Sequence, residues 1–322
     1  MKLKSLTIVI PTYNEEKNIG NCLKSIFAQD YPKKLLQVIV VDGGSTDNTV
    51  KISRSIGSEV LYNKLKVEER GKPYAIKNKA RGEIICLLDA DNIIPDNNDW
   101  LRRMIEPFND KEIFASDTLY YSFRKYDNLI TKYNALIGGD DPIASYFGIN
   151  DRYCYFTGKW TGMPHKKEDK GSYIKITFLK NKIPASGSNG FFFRKSIFNK
   201  VQNDPFIHPL FIYDLVNKGY NKMAKVKQGL YHVQDGSIKT FFRKKLRRIK
   251  RRYGGEVKWK YNYDVSRDNI LKIALYLGTI VLPLKDATLG FFRKPSYVWL
   301  FHPIAIFGLF FIYGYYSIKG LK

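Results

Sequence analysis

The segment from Ile84 to Asp91 most constrains what this chain can fold into. Its first five residues, Ile84 to Leu88, are all apolar, as in a strand that is buried on both faces of a sheet. Two carboxylates follow, Asp89 and Asp91, with Ala90 between them. Parallel sheets bind their ligands at the carboxyl ends of strands. Mg²⁺ and Mn²⁺ prefer such oxygen ligands and also accept diphosphate oxygens. Taken alone, the segment favours an ordinary acidic turn over a metal site, because Asp is common in turns.

Earlier segments predict that this strand belongs to a parallel sheet. Apolar runs near 6–10, 38–41 and 60–62 predict strands, and helices are predicted near 18–28, after 48 and near 73–80. The first run is closed by Pro11, and the second ends at Asp42, which opens a glycine-rich turn. Thr46 or Asp47 then caps the following helix. This alternation is typical of a doubly wound, mostly parallel α/β sheet.

Such a fold would bring three strand ends to one edge, and a nucleotide diphosphate fits that edge. The residues at these ends are Pro11, Thr12, Tyr13 and Glu15, then Asp42, then Asp89 and Asp91. A carboxylate such as Asp42 can accept hydrogen bonds from a base or a ribose, and the Thr12-Tyr13 loop can flank the base. Lys72 and Lys77 can neutralise phosphate charge. Each residue alone has an ordinary explanation in a turn or on a solvated face, but their recurrence at matching strand ends favours one site.

The charge balance indicates an anionic partner. The chain has 322 residues and a formal net charge of +24, which nucleic acid, anionic lipid or a nucleotide diphosphate would each match. Its three cysteines are too few and too widely spaced for a disulfide scaffold or a zinc site, so a reducing compartment is expected. Pro11 closes the first apolar run too early for a secretory signal, and no signal peptide is expected.

Residues 6 to 120 resemble the nucleotide-binding half of a family 2 glycosyltransferase with the GT-A fold. The matching segments are Ile8 to Glu15, Val40 to Asp47, Lys77-Asn78 with Ala80-Arg81-Gly82, and Leu88 to Asp91. The resemblance implies an inverting transfer from a nucleotide-activated sugar, with Mn²⁺ or Mg²⁺ as cofactor. With Lys72 added, the expected nucleotide-sugar-binding residues are Pro11, Thr12, Tyr13, Glu15, Asp42, Lys72, Asp89, Ala90 and Asp91.

Two later segments carry candidates for binding the acceptor. The aromatic-rich stretch from 120 to 162 contains Asp140, Asp141 and Trp160. Sugar-binding clefts stack sugar rings on aromatic faces and accept hydroxyl protons at carboxylates; a loop that packs on the domain is the alternative. Ser188-Asn189-Gly190 resembles the family's small-residue strand beneath the acceptor, where glycine lets a substrate approach the backbone.

The general base departs from the family pattern. The family usually carries a Glu-Asp pair at the start of a helix, and Phe211-Ile212 stands in its place here. Asp214 matches the acid that follows the pair, so the alignment favours Asp214 as the base; a buried acid paired with a lysine is the alternative. Pro209 is a typical first helical residue, which makes His208 at the helix N-terminus the second candidate. Reach to the attacking hydroxyl would decide between them.

A histidine after the last strand completes the metal site in several GT-A enzymes. Tyr231-His232-Val233 follows a predicted strand near 222–226, and a neutral imidazole is a suitable third ligand. The expected metal ligands are therefore Asp89, Asp91 and His232, with an ordinary loop histidine as the alternative.

The C-terminal third predicts membrane attachment. Eight of the ten residues from 243 to 252 are Lys or Arg. Phe242, Leu246, Ile249 and Tyr253 form an apolar stripe on the same predicted helix, which suits an anionic phospholipid surface. Nucleic acid is the rival partner for such a basic run. The stretch from 297 to 318 has no Asp, Glu, Lys or Arg. As a helix of about 33 Å it could cross the hydrocarbon layer, which favours lipid and no nucleic acid.

A shorter apolar run from 270 to 284 is expected to form a transmembrane hairpin with that stretch. A re-entrant or interfacial first segment is the alternative, because the connecting basic residues would otherwise lie outside. The expected domains are a catalytic domain over 1–236 with a nucleotide-binding half (1–120) and an acceptor half (121–236), basic interface helices over 237–265 and the hairpin over 266–322. The catalytic domain is expected on the cytoplasmic side of the cell membrane.

These features predict a membrane-anchored inverting glycosyltransferase. It would move a sugar from a GDP- or UDP-sugar donor to a hydroxyl of a membrane lipid-linked saccharide. The alternative is transfer to polyprenyl phosphate, as in dolichyl-phosphate mannose synthases, since a phosphate is already ionised and needs no base. From another class, a scaffold with an inactive nucleotide fold is possible, and stabilisation by metal plus nucleoside diphosphate would distinguish it.

Overall fold

The structure is a computed structural model that describes residues 3–64, 68–187, 189–202, 205–234, 236–253, 272 and 275–320. Of residues 68, 248–253 and 317–320 it describes the backbone alone. The predicted acceptor residue Ser188, the interface segment 254–265 and the start of the first apolar run near Ile270 therefore lie outside the described residues. The same holds for the side chains of Ile249 and Tyr253.

Ten strands and ten numbered helices make up the described chain. The strands are β1 Leu6–Thr12, β2 Leu36–Asp42, β3 Glu59–Tyr62, β4 Ile84–Leu87, β5 Asn92–Ile93, β6 Ala115–Ser122, β7 His165–Asp169, β8 Tyr173–Phe178, β9 Phe191–Arg194 and β10 Lys222–His232. The helices are α1 Ile19–Phe27, α2 Thr49–Ile56, α3 Glu68–Asn78, α4 Trp100–Ile105, α5 Leu129–Ile137, α6 Pro142–Tyr146, α7 His208–Asn217, α8 Ile238–Tyr253, α9 Val281–Arg293 and α10 Phe301–Gly320.

One sheet contains all of these strands, in the order β3-β2-β1-β4-β9-β6-β10-β8-β7, with β5 paired to β10. The neighbours β3, β2, β1 and β4 are parallel, and β9 continues the sheet antiparallel to β4. The predicted α/β architecture is confirmed, and its parallel part is the N-terminal half. The remaining strands are antiparallel where short turns join them, as residues 170–172 join β7 to β8.

Residues Met1–Tyr120 and Met163–Val233 form the first of two compact units. All four residues of β4 are buried, as expected for a strand covered on both faces. Leu23 of α1 and Trp100 of α4 pack with Ile8 and Cys86 of the sheet in one apolar core. This core packs against one face of the strands, so the residues that follow β1, β2 and β4 leave the sheet from rigid positions.

Gly82 lies where the surrounding backbone leaves no room for a side chain. A Cβ at Gly82 would lie within 2.8 Å of backbone atoms of Leu6, Thr7 and Ile84. We expect Gly82→Ala to lower the free energy of unfolding by about 3 kcal/mol, because the clash is with backbone that cannot move aside. Urea denaturation followed by circular dichroism measures this. Gly20→Ala is the control. Gly20 lies in α1, where a Cβ would make an ordinary 3.5 Å contact with the side chain of Ile52 in α2 and should not destabilise. Equal stability of the two variants would contradict the prediction.

Residues Tyr121–Gly162 and Gln234–Lys322 form the second compact unit. Tyr133 of α5 packs against Phe241 of α8 and Phe301 of α10, at ring-centroid distances of 6.1 and 5.0 Å. At Gly308 of α10 an added Cβ would collide with the ring of Phe242, so α8 and α10 touch there directly. The units divide the chain differently from the predicted domains, because residues 121–162 pack with the C-terminal helices.

Among the described residues, one stretch is long and apolar enough to cross a membrane, Tyr297–Tyr316. Helix α9 has 13 residues, about 20 Å of helix against a hydrocarbon layer of about 30 Å. It also contains Lys285 and Asp286, and the helical backbone before it is interrupted at Thr279 and Ile280. The part of the chain that the structure describes thus holds one candidate span, where the sequence predicted a hairpin of two.

Candidate functional site

The carboxyl ends of β1 and β2 hold the residues predicted to contact a nucleoside. Pro11 and Thr12 end β1, and Thr12 lies opposite Asp42 in the parallel register. The Thr12 hydroxyl donates to Asp42 Oδ1 at 3.4 Å. The same carboxylate accepts from the amides of Gly44 and Ser45 at 2.9 and 3.0 Å, and from the Ser45 hydroxyl at 2.6 Å. A carboxylate offers about four acceptor positions, so Asp42 is fixed by its own turn. A nucleoside hydroxyl would have to displace one of these donors.

The loop after β1 is tied to the loop after β2. Asn14 has a φ of 54°, and its Oδ1 accepts from the amide of Thr46 at 2.9 Å. The amide of Glu15 donates to the hydroxyl of Thr49 at 2.7 Å. Tyr13 lies between Thr12 and the anchored pair Asn14 and Glu15, and its side chain is 61% exposed. The loop therefore presents an exposed aromatic face at this edge, which is suited to stacking on a planar base.

Strand β10 brings a histidine to the acids that follow β4. The end of β10 pairs antiparallel with β5, so that His232 lies opposite Asn92. His232 Nε2 is 3.3 Å from Asp91 Oδ2, and the amide of Val233 donates to the Asp91 carbonyl at 2.9 Å. The structure thus brings together two of the three predicted metal ligands, although they are far apart in the chain.

Asn92 shapes the turn that carries the acids, and the sequence-based prediction missed it. Its Oδ1 accepts from the amide of Asp89 at 3.1 Å, and its Nδ2 donates to Asp91 Oδ1 at 3.1 Å. Asn92 is buried. The available signal was its place directly after the acids, because asparagine side chains close turns by bonding to nearby backbone. Asn92 orients the Asp91 carboxylate, whose other oxygen lies near His232.

The donor set fits a divalent cation of the Mn²⁺ or Mg²⁺ type. Two adjacent ligands, each about 2.1 Å from such an ion, stand about 3.0 Å apart. The 3.3 Å between Asp91 Oδ2 and His232 Nε2 is close to that separation. In the described ranges, no three His, Cys, Asp or Glu side chains cluster as a metal cage. Mg²⁺-type sites often use one or two protein ligands and leave the other positions to phosphate oxygens and water. The pair therefore fits a cation shared with a bound diphosphate.

Lys72 of α3 lies beside Asp89. It is 1% exposed, and its ammonium is 3.7 Å from Asp89 Oδ1 and 3.1 Å from Nε2 of His208. A buried ammonium needs partners, because transfer out of water is unfavourable for a charge. The predicted role of Lys72 was to neutralise phosphate, and its contact with Asp89 holds a positive charge next to the predicted diphosphate position.

His208, one of the two base candidates, is engaged at both ring nitrogens. Nδ1 contacts the carbonyl oxygen of Gly187, and a carbonyl only accepts, so we assign the proton to Nδ1. Nε2 then carries the lone pair, which accepts from the Lys72 ammonium. A general base needs an available lone pair. The arrangement therefore does not favour His208 as the base.

Asp214, the other base candidate, lies on the same helix. Helix α7 begins at His208, and the six-residue step to Asp214 corresponds to about 9 Å along the helix axis. Asp214 is half-buried. The two candidates therefore occupy distinct positions, and the role of Asp214 stays a prediction.

Asn189 and Gly190 precede β9 in the first unit. The Asn189 side-chain amide is 3.5 Å from Nδ1 of His232, so Asn189 adjoins the predicted metal site. Gly190 has a φ of 81°, and a Cβ there would lie 3.0 Å from the side chain of Leu230. The backbone conformation therefore already requires glycine at 190. Contact of these residues with an acceptor stays a prediction.

The acceptor candidates Asp140, Asp141 and Trp160 lie in the second unit. The ammonium of Lys245 in α8, 3% exposed, is 3.6 Å from Oδ1 of Asp140 and 3.6 Å from Oδ2 of Asp141. Asp141 also caps α6, because its Oδ1 accepts two backbone amides of that helix at 3.0 and 3.2 Å. Trp160 is buried. Both carboxylates thus help to hold α8 in the second unit, and their contact with an acceptor stays a prediction.

Known proteins of similar sequence identify the family of this chain. The family model described as glycosyl transferase family 2 matches residues 7–202. Glycosyltransferase AglE of Haloferax volcanii is 35% identical over 108 residues, which are 31% of this chain and 34% of that protein. The dolichyl N-acetyl-alpha-D-glucosaminyl phosphate 3-beta-D-2,3-diacetamido-2,3-dideoxy-beta-D-glucuronosyltransferase of Methanococcus voltae is 36% identical over 110 residues, 32% of this chain and 33% of that protein. The chain thus spans about a third of the length of these two relatives.

A solved structure shares the fold. The mannosyltransferase PcManGT from Pyrobaculum calidifontis, in complex with GDP-Man and Mn²⁺, matches 99% of this chain and 87% of its own with a TM-score of 0.52 and 16% identity. A likeness at 16% identity shows a shared fold and does not show a shared activity. The family model, in contrast, covers more than half of the 322 residues and includes the strand ends of β1, β2 and β4. The predicted resemblance is thereby confirmed, and the chain belongs to glycosyl transferase family 2.

Proposed function

We propose that the protein is an inverting glycosyltransferase that moves a sugar from a GDP- or UDP-sugar to a hydroxyl of a membrane lipid-linked saccharide. The observation that carries the donor half is the arrangement after β4. Asp91 adjoins the imidazole of His232 at 3.3 Å, and Asp89 adjoins the ammonium of Lys72 at 3.7 Å. A position for a cation and a fixed positive charge thus lie next to neighbouring acids, which is what binding of a diphosphate requires.

The residues of the first unit would divide the donor between them. Tyr13 would stack on the base, while Pro11, Thr12, Glu15 and Asp42 would contact the nucleoside. Asp91 and His232, with Asp89 beside them, would hold Mn²⁺ or Mg²⁺. A bound cation of this type stabilises the charge that develops on a leaving diphosphate. Lys72 adds a fixed positive charge whose burial strengthens its attraction to phosphate oxygens.

The relatives support a lipid-linked acceptor. The name of the Methanococcus voltae relative contains a dolichyl N-acetylglucosaminyl phosphate, which is a sugar on a lipid phosphate. We propose an acceptor of this class here, reached at the cytoplasmic face of the cell membrane. Asp140, Asp141, Trp160, Ser188, Asn189 and Gly190 remain the candidates for contacting its sugar.

Asp214 is the base that we propose for a hydroxyl acceptor. The lone pair of His208 accepts from Lys72, and Asp214 stands at the position of the acid that follows the family's Glu-Asp pair. The hydroxyl would lose its proton to Asp214 and attack the anomeric carbon from the side opposite to the leaving nucleoside diphosphate.

Transfer to a polyprenyl phosphate is the second candidate, and the contact between Lys72 and His208 favours it. That contact occupies one of the two base candidates, and a phosphate acceptor is ionised at neutral pH and needs no base. Incubation with labelled nucleotide sugar and either polyprenyl phosphate or a lipid-linked saccharide separates the two reactions. Asp214→Asn should abolish transfer to a hydroxyl and spare transfer to a phosphate.

Thermal unfolding tests the donor half directly. We expect Mn²⁺ together with UDP or GDP, at about 100 times the dissociation constant, to raise the melting temperature by about 5 °C. Nucleotide without metal should give a smaller shift, since Asp89 and Asp91 then face the diphosphate without a cation. If neither nucleotide with Mn²⁺ moves the melting temperature, the scaffold alternative is correct and the proposed transfer reaction is not.

A further inference from the structure

One face of α10 and of the turn before it is apolar and exposed. Leu300, Ile304, Phe307, Phe311 and Tyr315 follow one another at helical spacing and form a single stripe, called here the outer stripe. Their side chains are between 56% and 77% exposed. A continuous exposed stripe of large apolar residues indicates a partner surface.

The opposite face of α10 is packed inside the second unit. Phe301 contacts the rings of Tyr133 in α5 and Phe241 in α8, at centroid distances of 5.0 and 5.6 Å. Ile306 and Leu309 are buried in an apolar cluster that includes a residue of α6. The inner face of α10 is thus covered by other helices of its own unit through the middle of the helix.

This packing is incompatible with a helix that crosses a bilayer on its own. Gly308, near the middle of α10, touches the ring of Phe242 in α8. Helix α8 also carries Arg243, Lys244 and Arg247 within a turn or two of that contact. A crossing α10 would draw these charges towards the bilayer centre, where they are strongly disfavoured. A helix in the plane of the interface would leave them at the headgroups.

Helices α9 and α8 of the same unit also expose apolar and basic side chains, respectively. Helix α9 exposes Val281, Leu284, Phe291 and Phe292. Helix α8 exposes Lys239, Arg243 and Arg247, which are four residues apart and form one basic stripe. Exposed apolar side chains accompanied by basic ones complement a bilayer that contains anionic lipid.

We propose that the outer stripe of α10 lies along the boundary between headgroups and acyl chains of an anionic bilayer. The second unit would then insert into one leaflet without crossing the membrane. The proposal goes beyond the transfer reaction, because it specifies how the chain is attached and not what the first unit binds. Its failure would leave the donor chemistry untouched.

Depth measurements on the full-length chain test the orientation. The native cysteines are all buried, so single exposed cysteines introduced as Ile304→Cys, Phe307→Cys, Phe311→Cys and Tyr315→Cys can each carry a spin label. In vesicles of phosphatidylcholine and phosphatidylglycerol, we expect the four labels to lie within about 5 Å of one depth. A helix that crosses the bilayer would place the labels at positions 304 and 315 about 16 Å apart in depth. That difference in depth would overturn the proposal.

Vesicle flotation tests the surface itself. We expect Phe307→Glu to weaken binding to the same vesicles at least tenfold, and the double variant Arg243→Gln, Arg247→Gln to weaken it about tenfold on anionic vesicles and little on pure phosphatidylcholine. Tyr62→Glu is the matched control, because Tyr62 is an exposed aromatic residue of the first unit. Unchanged binding by Phe307→Glu, or a dimer of the wild-type chain in light scattering that Phe307→Glu dissociates without loss of vesicle binding, would show that the stripe contacts something other than lipid.

Discussion

Replacing Asp91 by asparagine is expected to lower the rate of sugar transfer by about 10³-fold or more. Asp91 lies 3.3 Å from His232 and is oriented by the buried amide of Asn92, so it is the acid best positioned to share a cation with a diphosphate. Asparagine has nearly the same shape as aspartate, and its Oδ1 can still accept the hydrogen bond from Asn92. It removes the negative charge. Loss of one directed electrostatic interaction at a reacting group commonly lowers rates by about 10² to 10³, and loss of the cation adds to this.

Two measurements separate loss of the cation from loss of the fold. Titration with Mn²⁺, followed by the paramagnetic resonance of free Mn²⁺, should show weaker binding in Asp91→Asn, while the melting temperature without ligand stays near that of the wild type. Asp96→Asn is the matched control, because Asp96 is an exposed acid five residues further along the chain, between β5 and α4. Transfer at the wild-type rate by Asp91→Asn would remove the metal role from the proposed function.

Lys72→Met should lower transfer by about 10²-fold or more and weaken binding of the nucleoside diphosphate. Methionine fills a similar volume in the buried position but leaves Asp89 without the ammonium that lies 3.7 Å away. Asp89 would then face the diphosphate without this ammonium, and like charges in a partly buried site repel strongly. Lys72→Arg should not restore activity, because a guanidinium is larger than the space around a side chain that is 1% exposed.

Lys79→Met controls for the charge change, since Lys79 is exposed and lies seven residues further along the chain, directly after α3. His208→Gln completes the test. If His208 serves as the partner of Lys72, glutamine can still accept from the ammonium, and transfer should fall less than tenfold. A loss in His208→Gln as large as that in Asp214→Asn would instead identify His208 as the base.

The parallel part of the sheet could be predicted because its residues obey local rules. Buried parallel strands are continuous apolar runs, and a polar residue at the end of each run marks the edge where ligands bind. Asp42, Asp89 and Asp91 could therefore be found from the sequence before any distance was known. His232 needed the family resemblance as well, because its approach to Asp91 depends on the antiparallel pairing of β10 with β5.

The remaining features depend on contacts between residues distant in the chain. Nothing near Lys72 in the sequence indicates that its ammonium bonds to His208, and that contact counts against His208 as the base. Lys245 belongs to a run of basic residues typical of a solvated face, yet it is buried beside Asp140 and Asp141. Apolar composition alone could not distinguish an α10 that spans the bilayer from the proposed α10 in the plane of the interface. Both have the same sequence, and they differ only in whether other helices cover one face of α10.

The register of β10 restricts how chains of this design can change over evolutionary time. Successive residues of a strand point to opposite sides, and Tyr231 and His232 pair with Ile93 and Asn92. Loss or gain of a single codon between the start of β10 at Lys222 and its end would replace the imidazole at Asp91 by a neighbouring side chain. Length variation among related genes should therefore collect in the loops before this strand and be absent within it.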